Sequence, residues 1–140
     1  MLHRPLSQIY DNIRDYFVYR EDGLVTGCVA LHVLLGDPKS LEGLGEIRSM
    51  AVWEESQGRG VARRLFQACL DEVETVGLSR IILVTYIPDY FKRLGFQKTE
   101  KESLHPLWWR ECFECPEFNP PNPCRETAMV LSNSQLRLPV

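Results

Sequence analysis

A chain of 140 residues has room for one hydrophobic core, and 44% hydrophobic with 25% charged residues is ordinary for a globular protein. A net charge of −3 argues against a general nucleic-acid binder, and no apolar run approaches the ~20 residues that span a bilayer. Met1-Leu2-His3-Arg4-Pro5 lacks the apolar core of a signal peptide, and five cysteines, an odd number, suit a reducing compartment; together they predict the cytoplasm.

Ser7 is placed to cap a first helix, whose apolar positions Leu6, Ile9, Tyr10, Ile13 and Phe17 recur at helical spacing. Phe17–Glu21 reads as a strand, Asp22-Gly23 as a turn dipeptide, and Leu24–Leu35 as the long returning strand of a hairpin. Residues 36–45 form a loop of glycines, Pro38 and mixed charge, and Glu46–Trp53 is a third strand. A helix from about Arg59 places Ala62, Leu65, Phe66, Cys69, Val73 and Val76 on one face and ends at Gly77. Arg80–Thr85 is a fourth strand, and its continuous apolar centre Ile81-Ile82-Leu83-Val84 predicts burial on both faces. Pro88 starts a short helix through Leu94, closed by Gly95, and Phe96–Lys101 follows as a strand. Leu104–Cys124 is irregular, Thr127–Leu131 forms a last strand, and the tail from 132 to 140 is frayed. This order predicts a single α/β domain over residues 1–140, with a mixed central sheet and helices on both faces. The unit Glu46–Thr85 is expected to be a right-handed parallel crossover.

The most informative residues are Gln57-Gly58-Arg59-Gly60-Val61-Ala62, which join an apolar strand to a helix N-terminus. Such a terminus carries unpaired N–H groups and partial positive charge, and glycines keep side chains away from them. The arrangement suits a pyrophosphate. Gly-x-Gly alone equally describes a tight turn with no ligand. It is not a Walker loop, since no Gly-Lys-Ser/Thr follows, and it does not open a dinucleotide fold.

With its flanks, the pattern resembles the GNAT acetyltransferase superfamily. Gln57, Gly60 and Ala62 match its Arg/Gln-x-x-Gly-x-Gly/Ala signature; Met50-Ala51-Val52 match the strand end before it, and Leu94-Gly95-Phe96 a later helix end. The resemblance covers roughly residues 4 to 131. The strings Glu46–Val52, Tyr86–Phe96 and Cys112-x-x-Cys115-Pro116 followed by Cys124 are similar to the short, stand-alone bacterial N-acetylglutamate synthases. GNAT domains begin with a strand and a helix before the matched region, and this chain starts at about the second helix. Phe17–Glu21 would then be a bare sheet edge. A truncated gene start, a homodimer partner over the edge, or a naturally shortened form would each explain it.

The resemblance implies that acetyl-CoA lies between the splayed strands Glu46–Trp53 and Arg80–Thr85, as co-substrate. Met50, Ala51 and Val52 would pair with pantetheine through their backbone, and one N–H would polarise the thioester carbonyl. Backbone N–H groups from Gln57 through Gly58, Arg59, Gly60 and Val61 to Ala62 would hold the pyrophosphate. Arg59 and Arg63 would add charge there, or sit as solvated surface residues. Glu46 is the candidate base for the acceptor amine, against a plain strand-end ion pair. The usual acid position holds Phe91, which cannot donate a proton, so Tyr86 is the preferred substitute, with Tyr90 nearby as the alternative and as a cofactor contact. Arg48, two residues from Glu46 and so on the same face of the strand, is the candidate clamp for an acceptor carboxylate, against a structural ion pair.

His105, Cys112, Cys115 and Cys124 include one proper zinc half-site, but the favoured reading is a loop packed on Trp108, Trp109, Phe113 and Phe118, with no metal. Cys28 and Cys69 are expected in the core, and His3 and His32 show no partner and receive no role. The expected activity is acetylation of a small amino acid-like acceptor, glutamate first, with no nucleic-acid or membrane partner. The rivals are another amine acceptor and a non-catalytic module binding CoA or a partner.

Overall fold

The structure, a computed structural model, describes residues 4–34, 43–101 and 126–132. Six strands form a mixed sheet: β1 (Tyr16–Glu21), β2 (Leu24–Leu34), β3 (Gly43–Val52), β4 (Leu78–Thr85), β5 (Gln97–Lys98) and β6 (Thr127–Ser132), in the order β1-β2-β3-β4-β6-β5. The helices are α1 (Leu6–Asp11), α2 (Val61–Val76) and α3 (Pro88–Arg93). The chain forms two compact units: residues up to Val33 with Gly45–Gly77, and Leu34, Gly43 and Leu44 with the residues from Leu78 onward.

In the first unit, β1 and β2 form the expected hairpin. Asp22 (φ 49°) and Gly23 (φ 80°) both take the left-handed region that a two-residue turn between twisted strands requires. The register runs from Tyr16 opposite Ala30 to Tyr19 opposite Gly27, then slips, so that Arg20 faces Val25 and Glu21 faces Leu24. The extra residue, Thr26, offers its carbonyl to the Trp53 N–H at 2.8 Å. α2 buries Val61, Leu65, Phe66, Cys69, Leu70 and Val73. Gly27 lets this helix approach β2 closely: a Cβ there would lie 3.0 Å from both Leu65 Cδ1 and Val61 Cγ1. Val76, expected on the buried face, is exposed.

α1 departs from expectation. Pro5 is its N-cap, no side chain caps it, and Ser7 lies inside the first turn. The helix stops at Asp11, where Asn12 Nδ2 donates back to the Gln8 carbonyl at 2.9 Å and competes with helix continuation. A short 3-10 turn, Ile13–Asp15, follows, and Phe17 belongs to β1. Leu6, Tyr10 and Ile13 therefore remain exposed.

In the second unit, β4 pairs antiparallel with β6 from Arg80 opposite Ser132 to Thr85 opposite Thr127, and β5 pairs with β6. Ile81, Ile82 and Leu83 are all buried, as an apolar run without alternation predicts, while Val84, the last of that run, is half-buried. Leu34, Leu44, Ile82 and Ala128 form one cluster, with Val130 against it. Phe91 meets Phe96 edge-to-face at 5.8 Å, anchoring α3. Among the described residues, no helix is long and apolar enough to cross a membrane.

Candidate active site

The end of β3 departs from a regular ladder. Ser49 adopts φ 59°, left-handed and uncommon for a residue with a Cβ, and its hydroxyl is buried with no hydrogen-bond partner. The Cys28 thiol on β2 donates to the Ser49 carbonyl at 3.4 Å. Burial raises the Cys28 thiol above its ordinary range, and a hydrogen bond from the Ala51 backbone works against that rise. Ala51 and Trp53 thus turn their N–H groups towards β2. By strand alternation, Met50 and Val52 turn theirs to the other edge of β3.

A 3-10 turn, Glu54–Ser56, follows Trp53. Gln57 closes it, its side-chain amide donating to the Val52 carbonyl at 3.1 Å and its own N–H to the Glu54 carbonyl at 3.2 Å. The Gln57 N–H is therefore used within the turn, and the open donors begin at Gly58. Gly58 (φ 78°) and Gly60 (φ 80°) are both left-handed, which keeps residues 58–60 out of the helix. α2 accordingly begins at Val61 rather than near Arg59, with Gly60 as an N-cap lacking a side-chain acceptor. The first bond into the helix is from the Arg64 N–H to the Gly60 carbonyl, 3.1 Å. Among the described residues, no N–H from Gly58 to Ala62 donates to a backbone carbonyl outside the helix. Nothing lies within 4 Å of where a Cβ would stand on Gly58 or Gly60. Open donors, the positive end of a 16-residue helix and free space coincide at this turn.

Three side chains tie the turn to β1. Ser56, 2% exposed, donates its hydroxyl to Glu21 Oε2 at 3.0 Å. Arg59 Nη2 donates to the same oxygen at 2.8 Å and to Ser56 Oγ at 3.2 Å. The Arg59 guanidinium, expected to add charge to the cradle, is thus matched by a carboxylate. One turn on, Arg64 donates to the Tyr19 hydroxyl at 3.2 Å and stands 5.9 Å from that ring's centre. Sequence reasoning missed Glu21 and Ser56. Their separation of 35 residues leaves no local signal, and Glu21 read only as the last residue before a hairpin turn.

Glu46 and Arg48 are both buried on β3, at 8% and 9% exposure, flanking Ile47. Neither is without a partner, as burial of charge requires. In the second unit, Tyr86 is exposed just beyond β4, while Tyr90 on α3 is half-buried, edge-on to Phe91 at 5.1 Å and near Arg93. Phe91, at the usual acid position, is a core residue. His32 does have a partner: its Nδ1 lies 2.6 Å from Asp15 Oδ2, because the 3-10 turn after α1 brings Asp15 back to β2. Cys69 is fully buried as expected, whereas Cys28 is half-buried. His3 and the candidate zinc ligands His105, Cys112, Cys115 and Cys124 lie outside the described residues, within which no group of three metal-ligating side chains occurs.

A strand that breaks its ladder, a left-handed double-glycine turn and an uncapped helix start make an anion-accepting strand–turn–helix. Residues 12–98 match the profile of the family described as acetyltransferase (GNAT) domain, and the chain belongs to that family. It is 35% identical over 130 residues to an N-acetyltransferase of Chlorobaculum tepidum, covering 93% of this chain and 78% of that one. It is 31% identical over 103 residues to an amino-acid acetyltransferase of Mycobacterium tuberculosis, covering 71% of this chain but only 56% of the relative. In fold it is similar to N-acetylglutamate synthase of Neisseria gonorrhoeae, solved with coenzyme A and N-acetyl-glutamate. The TM-score is 0.78 at 23% identity, over 94% of this chain and 28% of that one.

Proposed function

We propose that this chain transfers the acetyl group of acetyl-CoA to the amine of a small amino-acid acceptor, with L-glutamate the first choice. The observation that carries this reading is the run of open N–H groups from Gly58 to Ala62. They follow, across the turn of residues 53–57, the strand that carries Met50, Ala51 and Val52. The free space over Gly58 and Gly60 fits a diphosphate, and Arg59 and the N–H groups of Val61 and Ala62 border it. Met50, Ala51 and Val52 form the stretch for the pantetheine arm. An N–H of this stretch would polarise the thioester carbonyl, an interaction worth roughly 3 kcal/mol in comparable oxyanion sites.

Glu46 takes the proton from the acceptor ammonium, directly or through water. An α-amine with a pKa near 8 needs only a weak base for this. The amine then forms the C–N bond as the C–S bond breaks, and the departing thiolate takes a proton from Tyr86 or Tyr90. Arg48 holds an acceptor carboxylate. An amino-acid acceptor is supported by the name of the mycobacterial relative, and glutamate by the ligand of the Neisseria structure. A cytoplasmic location, and a homodimer through the free edge of β1, complete the reading. The rival, a CoA-binding module without turnover, is supported by the buried Phe91 at the acid position.

Calorimetric titration with acetyl-CoA, followed by thiol release across an amino-acid panel, tests the proposal. We expect binding, and turnover fastest with glutamate. Binding without turnover on any amine selects the rival, and no binding removes both.

A further inference from the structure

Glu21 is an odd neighbour for an anion site. It sits at the end of β1, and its carboxylate is directed at the turn that opens α2. Taken as charge alone, it opposes a diphosphate, both by its own field and by occupying Arg59. Its geometry suggests a different role. One oxygen, Oε2, accepts from Ser56 at 3.0 Å and from Arg59 at 2.8 Å, while Arg59 also donates to Ser56 Oγ at 3.2 Å. The three groups close a triangle across the Glu54–Ser56 turn. Ser56 is 2% exposed, so its hydroxyl has no water to replace a lost acceptor. The register slip after Tyr19 changes the partnering of the last two β1 residues, and Thr26, the residue left over, accepts from Trp53 at the start of the same turn. The turn is thus held to the hairpin at Trp53, Ser56 and Arg59, and it leads directly into Gly58 and Gly60, whose open positions have no packing of their own to fix them.

We infer that Glu21 is a positioning residue: through Ser56 and Arg59 it holds the 53–60 turn so that the N–H groups of Gly58 to Ala62 converge on the coenzyme's diphosphate. The inference rests on the acetyl-CoA reading above. It predicts a sign opposite to that of simple electrostatics. Removing an acidic side chain beside an anion site would by charge alone tighten binding; here it weakens it.

The test compares Glu21→Ala, Glu21→Gln and Ser56→Ala in the full chain. It uses calorimetry with CoA, and kcat/KM with acetyl-CoA and with S-acetylpantetheine, which lacks the diphosphate. Glu21→Ala is expected to weaken CoA binding about tenfold, the scale of losing hydrogen bonds to a charged group. KM for acetyl-CoA rises accordingly while kcat at saturation and kcat/KM for S-acetylpantetheine stay within about twofold. Glu21→Gln retains an accepting oxygen and is expected to restore most of the affinity. Ser56→Ala, a smaller change should the first variant unfold, moves CoA affinity in the same direction. Tighter or unchanged CoA binding in Glu21→Ala, or equal losses with both thioesters, overturns the inference. A wild-type chain that binds no CoA overturns the acetyltransferase reading and this inference with it, whereas normal wild-type binding beside an unaltered Glu21→Ala overturns the inference alone.

Discussion

Arg48 and Glu46 show what a single strand can and cannot disclose. Two residues apart on β3, they face the same way by the pleat, and both are buried, an expensive position for charge unless it is engaged. The shared face was readable from the order of residues; the burial was not. Their roles remain proposals that kinetics can separate. Arg48→Ala should raise KM for a dicarboxylate acceptor about tenfold or more while KM for acetyl-CoA changes less than about twofold, measured by thiol release. Equal effects on both would assign Arg48 to a structural ion pair. Glu21 was not readable in this way. Nothing near it in the chain announces a partner, and only the folding of β1 against the start of α2 brings its carboxylate to Arg59, 38 residues away. His32 is a parallel case, paired with Asp15 across 17 residues.

The strand–turn–helix element from β3 to α2 was legible because its constraints are local. An apolar strand, two glycines and an amphipathic helix specify one another through backbone conformation alone. The start of α2 was misplaced by about two residues because Gly58 and Gly60 both adopt positive φ, a choice that spacing does not reveal. α1 was overextended for a similar reason: helical periodicity through Phe17 does not register that Asn12 turns its side chain back on the helix. The element makes a direct prediction. Gly60→Glu forces a side chain into the left-handed region, costing roughly 1–2 kcal/mol, and places a carboxylate at the mouth of the cradle. Acetyl-CoA binding by calorimetry should become undetectable while circular dichroism still reports a folded chain. Unchanged affinity would remove the turn from the coenzyme site.

At the scale of the molecule, the core sets a limit on alkaline stability. Cys69 is fully buried on α2, and burial, with a smaller contribution from Glu72, pushes its thiol up from 9.0 to about 12. The folded thiol therefore stays neutral where the unfolded chain already ionises. Below about pH 9 the two states are alike, and between about 9 and 12 the unfolded state is favoured by roughly 1.4 kcal/mol per pH unit. Urea midpoints should fall from pH 8 to pH 10.5, and Cys69→Ala, less stable at neutral pH, should show a shallower fall. An equal slope in both proteins would assign the alkaline loss to other groups.

The sequence by itself determined the hairpin, the buried centre of the fourth strand and the glycine turn, because each rests on periodicity or backbone conformation within a short window; the family was legible from the resemblance of its motifs. The tertiary structure alone decided where α2 begins and which N–H groups of the turn remain open. It also decided that Arg59 is shared with Glu21. Those outcomes depend on which distant groups claim each donor and acceptor first, and that competition is settled only when the strands and the helix have packed.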